Sequence, residues 1–167
     1  MEMEMRVLGV DPGLQVCGYA CLDSDPLGES LVEAGVVRTT ADLPLEGKLH
    51  QIAVDFRSLV DRLRPGIVAV EQLYAHYAHP RTAILMGHAR GVILQCCAEA
   101  GVRLTSYSAT RIKKSLTGSG RASKEQMQRT IQTILSLAEA PQPPDVADAI
   151  AAALCCGNEL NRMLVRD

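Results

Sequence analysis

The sequence predicts an α/β fold built on one open sheet, and three observations carry the prediction. Val7-Leu8-Gly9-Val10 and Ile67-Val68-Ala69-Val70 are short apolar runs of the kind that form buried strands. Each is closed by an acid, Asp11 and Glu71, so both carboxylates emerge at strand ends, where open α/β sheets bind their ligands. Stretches with helical periodicity lie between and after these runs. With 167 residues, 47% of them hydrophobic, the chain has room for one substantial core. Residues 1–167 are therefore expected to form a single domain, with 1–4 frayed and 161–167 a short tail.

Met5 to Val10 reads as a central strand, and Asp11-Pro12-Gly13 as a turn, proline fixing φ and glycine tolerating positive φ. Val16 to Leu22 and Leu31 to Thr39 follow as two strands joined by a polar turn from Asp23 to Gly28, completing an antiparallel meander. Leu45, Leu49, Ile52, Phe56, Leu59 and Leu63 recur at helical spacing, which predicts an amphipathic helix over 43–63, stopped by Pro65. The Ile67 to Glu71 strand leads into a polar-aromatic loop, Tyr74 to Pro80, and a helix over 82–100. Gly87 and Gly91 share one face of that helix, suited to close packing within the chain or against a second subunit. A strand over 103–107, a basic helix over 109–116 and a helix to about Leu135, started by a Ser123/Gln126 capping box, come next. Pro141, Pro143 and Pro144 precede a last, alanine-rich helix over 145–160.

No apolar run approaches the roughly 18–20 residues of a membrane span. The start, Met1-Glu2-Met3-Glu4-Met5-Arg6, lacks the basic-then-apolar layout of a secretory signal, so a soluble, cytoplasmic protein with no membrane partner is expected. The six cysteines show no C-x-x-C spacing and read as small buried hydrophobes in a reducing compartment. The net charge of -2 disfavours nucleic-acid binding, but the charges are unevenly spread. Residues 1–63 carry eleven acids and five bases, whereas 64–167 carry eight acids and twelve bases. Arg111, Lys113, Lys114, Arg121, Lys124 and Arg129 bracket the flexible Gly118-Ser119-Gly120, a segment able to neutralise phosphates or simply to face solvent.

Asp145 and Asp148 have a structural explanation as an N-cap and a first-turn acid facing the helix dipole. Asp11 alone fits a turn, and Glu71 alone fits a strand end or half of a salt bridge. Residues three apart share a helix face, and the helix that follows is apolar nearly all round, so its first turn is expected to pack against something. Four carboxylates gathered there hold a charge of about -4, which raises at least one pKa unless cations compensate. Oxygen ligands without histidine or thiolate select Mg²⁺ or Mn²⁺ over zinc. Two such ions roughly 3.5–4 Å apart suit in-line hydrolysis of a phosphodiester, with Lys113 or Lys124 adding fixed positive charge to the transition state.

Leu8-Gly9-Val10-Asp11-Pro12-Gly13-Leu14 with Gly18-Tyr19 resembles the opening of the RuvC family of Holliday-junction resolvases. Val70-Glu71-Gln72-Leu73-Tyr74, Gly87-His88-Ala89-Arg90-Gly91 and Asp145-Val146-Ala147-Asp148-Ala149 resemble its later motifs in the same order. The resemblance implies a ribonuclease H-like fold, a mixed five-stranded sheet flanked by helices on both faces. It implies a homodimeric crossover junction endodeoxyribonuclease that nicks a four-way DNA junction symmetrically, leaving 5′-phosphate and 3′-hydroxyl ends. Asp11, Glu71, Asp145 and Asp148 match the metal-binding quartet, two Mg²⁺ or Mn²⁺ per site, and Lys113 and Lys124 match the two functional lysines. Tyr74 stands where relatives carry a phenylalanine that meets junction bases; Arg81, Arg111, Lys114, Arg121 and Arg129 complete the expected DNA contacts. RuvA and RuvB, the branch-migration proteins, are partners on the same ground.

His76, His79 and His88 are assigned no role. Three rivals compete with the resolvase reading. An actin-like ATPase needs a second lobe and phosphate loop. A ribonuclease H-like nuclease acting on structured RNA shares the sheet and the metal logic, and the basic segment and the Asp-x-x-Asp pair favour the resolvase over it. A junction-binding module without catalysis has no need of four intact carboxylates.

Overall fold

The structure, a computed structural model, describes residues 5–73 and 79–164. Five strands, β1 (Met5–Asp11), β2 (Val16–Asp25), β3 (Gly28–Arg38), β4 (Ile67–Glu71) and β5 (Arg103–Tyr107), form one sheet in the order β3-β2-β1-β4-β5. β1, β2 and β3 pair antiparallel, while β4 joins β1 and β5 joins β4 in parallel, so the sheet is mixed. The helices are α1 (Leu45–Leu63), α2 (Pro80–Glu99), α3 (Ala109–Thr117), α4 (Lys124–Ile134) and α5 (Pro144–Leu164). None of the described helices is long and apolar enough to cross a membrane.

Strand alternation sends the central residues to two cores. Leu8, Val10, Val68 and Val70 pack under α1 and α2 with Phe56, Leu59 and Ile93. Val7, Ile67 and Ala69 face the other way, toward α5 with its Ala149, Ile150, Ala153 and Leu154. All six cysteines are free and buried, as small core hydrophobes.

Several boundaries differ from expectation for identifiable reasons. The polar turn expected over 23–28 shrinks to Pro26-Leu27, because Asp23 is held in β2 by Arg6 across the ladder at 2.7 Å. Asp25 Oδ1 accepts from the backbone N–H of Leu27 and Gly28, at 2.7 and 3.1 Å, closing the hairpin itself. Gly28, with φ +148°, takes a conformation closed to other residues.

α1 starts two residues late, after Pro44, and ends in a left-handed Arg64. α2 begins at Pro80, two residues early, since proline at the first helical position loses no bond. Among the described residues no backbone approaches its two glycines: a Cβ at Gly87 would meet the Leu73 side chain at 3.7 Å, and one at Gly91 nothing within 4 Å. The Ser123/Gln126 capping box forms as expected, at 3.1 and 2.8 Å. α5 begins at Pro144, so Asp145 lies inside the first turn rather than capping it, and the helix continues past 160 to Leu164, through most of the expected tail. Tyr74 and His76 lie outside the described residues.

Candidate metal centre

The acidic site is assembled by register first. Val10 pairs with Val70 in the parallel β1–β4 ladder, so the next residues, Asp11 and Glu71, stand side by side at the strand ends, roughly 4.8 Å apart by ladder spacing. Alternation sends both side chains to the α5 face, with Val7, Ile67 and Ala69.

Two glycines then seat the helix. A Cβ at Gly9 would collide with the carbonyl of Ala149 and lie 2.9 Å from the Ala153 Cβ. A Cβ at Gly18, the β2 partner of Asp11, would collide with the carbonyl of Asp145 and lie 3.0 Å from its Cβ. Glycine at both points lets the α5 backbone rest on the sheet, bringing its first turn, with Asp145 and Asp148, over the end of β1. In the sequence this seat shows only as a pair of glycines inside strand patterns together with an alanine-rich helix.

The electrostatics register the convergence. The Asp11 carboxyl is pushed up to about 7, by burial first and then by Asp148, Asp145 and Glu71. Glu71 is also raised, by burial and then by Asp148, with Lys113 opposing. Asp148, the most exposed of the four, is raised by burial of its carboxyl and by Asp145, against the pull of Lys124 and Lys113. Behind the site, the Cys17 thiol is pushed up to about 12 by burial, a packing group rather than a nucleophile.

Among the described residues, no three acidic, thiol or imidazole side chains stand close enough together to ligate one ion as they are placed. The donor set fits a hard divalent cation: four carboxylates, no histidine and no thiolate. Glu71, Asp148, Lys113 and Lys124 line a cleft of about 130 Å³ walled by Ile112 and Met127. Asp11 and Asp145 lie outside that lining but within electrostatic reach of Asp148.

The basic segment, expected as one patch, divides. Lys113 and Lys124 face the acidic cleft. Arg111 and Lys114 line a separate groove between α3 and α5, where Arg111 Nη2 donates to Glu159 Oε1 at 2.7 Å. A nine-residue helix turning about 100° per residue cannot send 111, 113 and 114 the same way. Arg121, between α3 and α4, and Arg129, on α4, are exposed, as are Arg81 in the first turn of α2, His79 before it and His88 further along. Glu159, which also accepts from the Tyr107 hydroxyl at 2.6 Å, carried no motif and is visible only from the tertiary contacts.

Residues 7–156 match the family model of the crossover junction endodeoxyribonuclease RuvC. The chain is 45% identical over 149 residues to the crossover junction endodeoxyribonuclease RuvC of Rhodopirellula baltica, covering 89% of this chain and 84% of that one. It is 39% identical to the same enzyme of Heliobacterium modesticaldum, over 93% and 96% of the two chains. The fold matches Thermus thermophilus RuvC in complex with Holliday junction substrate with a TM-score of 0.88 and 32% identity, over 95% and 96% of the chains.

Proposed function

The chain belongs to the RuvC family of crossover junction endodeoxyribonucleases, enzymes that hydrolyse phosphodiester bonds of DNA, and we propose that it resolves four-way junctions by paired, symmetric nicks. In this reading Asp11, Glu71, Asp145 and Asp148 hold two Mg²⁺ or Mn²⁺ ions. When bound, divalent cations supply Lewis acidity and offset charge in an in-line phosphoryl displacement, which leaves 5′-phosphate and 3′-hydroxyl ends. The observation that supports the reading best is Asp11: burial at the end of a central strand, and after it three other carboxylates from β4 and α5, raise its pKa to about 7.

The chain's own residues divide the remaining work. Lys113 and Lys124, which oppose the charge of Glu71 and Asp148, also offer ammonium groups to the phosphate being cut and to charge that develops on it. Ile112 and Met127 form an apolar wall that limits water on that side of the cleft. The β4–β5 ladder, where Glu71 pairs with Tyr107, holds the Glu71 backbone in place when substrate enters. Homodimerisation gives one such cleft per strand to be cut, and supply of the junction by RuvA and RuvB belongs to the same reading.

The test compares a labelled four-way DNA junction, a linear duplex and a structured RNA, each with Mg²⁺, Mn²⁺ or EDTA. Metal-dependent paired nicks in the junction alone are expected, and Asp11→Asn should bind the junction without cutting it. Equal cutting of all three substrates would replace this reading with a general nuclease.

A further inference from the structure

The groove between α3 and α5 is a second concavity, of about 460 Å³, with no part in the acidic cleft. Arg111, Lys114 and Arg162 give it three positive charges against one negative, Glu159. One of the cations is held in place before any ligand arrives. The Arg111 guanidinium donates to Glu159 at 2.7 Å and sits 5.1 Å from the centre of the Tyr107 ring, while Tyr107 fixes the other oxygen of Glu159 at 2.6 Å. Among the described residues the Arg111 guanidinium donates only to Glu159, and a fork fixed in this way loses little entropy on meeting an anion. Lys114 and Arg162 make no hydrogen bond or ion pair among the described residues. This is the chemistry of a phosphate-backbone site rather than of an apolar docking groove.

The position of the groove says which phosphates. α3 presents Lys113 to the acidic cleft and Arg111 and Lys114 to the groove, so its two sides are both basic. A helix with its side chains is about 10–12 Å across, close to the roughly 12 Å width of the DNA major groove. Resting on the reading of the acidic cleft as the place where one strand is cut, we infer that the α3–α5 groove takes the phosphates of the complementary strand of the same duplex arm, with α3 between the two strands. An acidic peptide would satisfy the charges but gives no reason for basic groups on both sides of one helix.

The experiment measures binding of the full chain, in EDTA to prevent cutting, to a labelled four-way junction, a duplex and a single strand of equal length across a salt series. Each phosphate contact contributes about 0.9 to the slope of log affinity against log salt, so Lys114→Ala with Arg162→Ala should flatten the junction and duplex slopes by about 2 and weaken both roughly tenfold. Single-strand binding should be unmoved, and Lys114→Arg with Arg162→Lys should restore the slopes. Both positions are exposed, and thermal unfolding checks that the variants fold. Unchanged duplex and junction slopes would overturn the inference, as would an equal loss on the single strand. So would competition by polyglutamate that disappears in the variant while the DNA slopes hold, which marks a protein site. Wild-type protein that fails to cut the junction with Mg²⁺ sinks the resolvase reading instead, whatever the variant slopes show.

Discussion

The two faces of the sheet are built from the same strands by opposite means. Toward α1 and α2, β1 and β4 offer Leu8, Val10, Val68 and Val70, large side chains that hold the helices at a distance and bury apolar area. Toward α5, β1 offers Val7, Gly9 and Asp11, and the helix rests backbone-on-strand at Gly9 and Gly18. Charges differ in the same way. On the α1 side Glu33 accepts from Arg62 and from Tyr19, and those hydrogen bonds push its carboxyl down to about 2. On the α5 side Asp11 is buried among other carboxylates and is pushed up to about 7. One face is arranged for stability; the other carries charge repulsion among buried carboxylates.

The sharpest way to separate the faces is to remove charge from the cleft. Lys113→Ala and Lys124→Ala should each lower junction cleavage about 100-fold or more in single-turnover assays, the scale seen when one group that stabilises a transition state is lost. Glycine and leucine come next. Leu8→Ala should destabilise by about 2–5 kcal/mol through cavity formation, with cleavage per folded molecule kept. Gly9→Ala, which forces a methyl into the α5 backbone, should cost about 1–3 kcal/mol and also depress cleavage per folded molecule, as denaturant melts and active-site titration would reveal. If both variants reduced cleavage only in proportion to unfolding, the division of labour between the faces would fail.

Much of this was legible in the sequence. The β4 bounds follow from an apolar run, and Asp11 and Glu71 stand at strand ends because each closes such a run. What stayed hidden depends on partners remote in the chain. Asp23 reads as turn until Arg6 is set opposite it. α5 outruns its expected end because Glu159 and Asn161 find Tyr107, Arg111 and the Asp25 carbonyl. The splitting of the basic segment needs the position of α5 beside α3, which no local pattern encodes. The seat at Gly9 and Gly18 was present as two strand glycines, but their meaning requires knowing which helix lands there.

Titration gives a finer test of the contrast. The raised pKa of Asp11 means that its contribution to stability is fully present below the unfolded value of 3.8 and is lost as pH climbs through about 7. Metal-free protein should therefore lose stability across that window, and Asp11→Asn should remove part of the loss. The lowered pKa of Glu33 works in reverse: its contribution is present above 4.5 and lost as pH falls through about 2. The smallest effect is expected at Arg62→Ala, a small loss of stability at neutral pH, because the pair is solvent-screened. Urea melts at pH 7 and pH 3 would show whether that difference shrinks with acidity.

Thermal unfolding of wild type and Asp11→Asn at pH 8, with and without Mn²⁺, tests most directly whether the four carboxylates form one cation-holding centre. In EDTA the variant should melt higher than wild type, because one repelling charge is gone, and Mn²⁺ should raise the wild-type midpoint while moving the variant much less. A variant that melts lower in EDTA, or two proteins that respond alike to Mn²⁺, would contradict it.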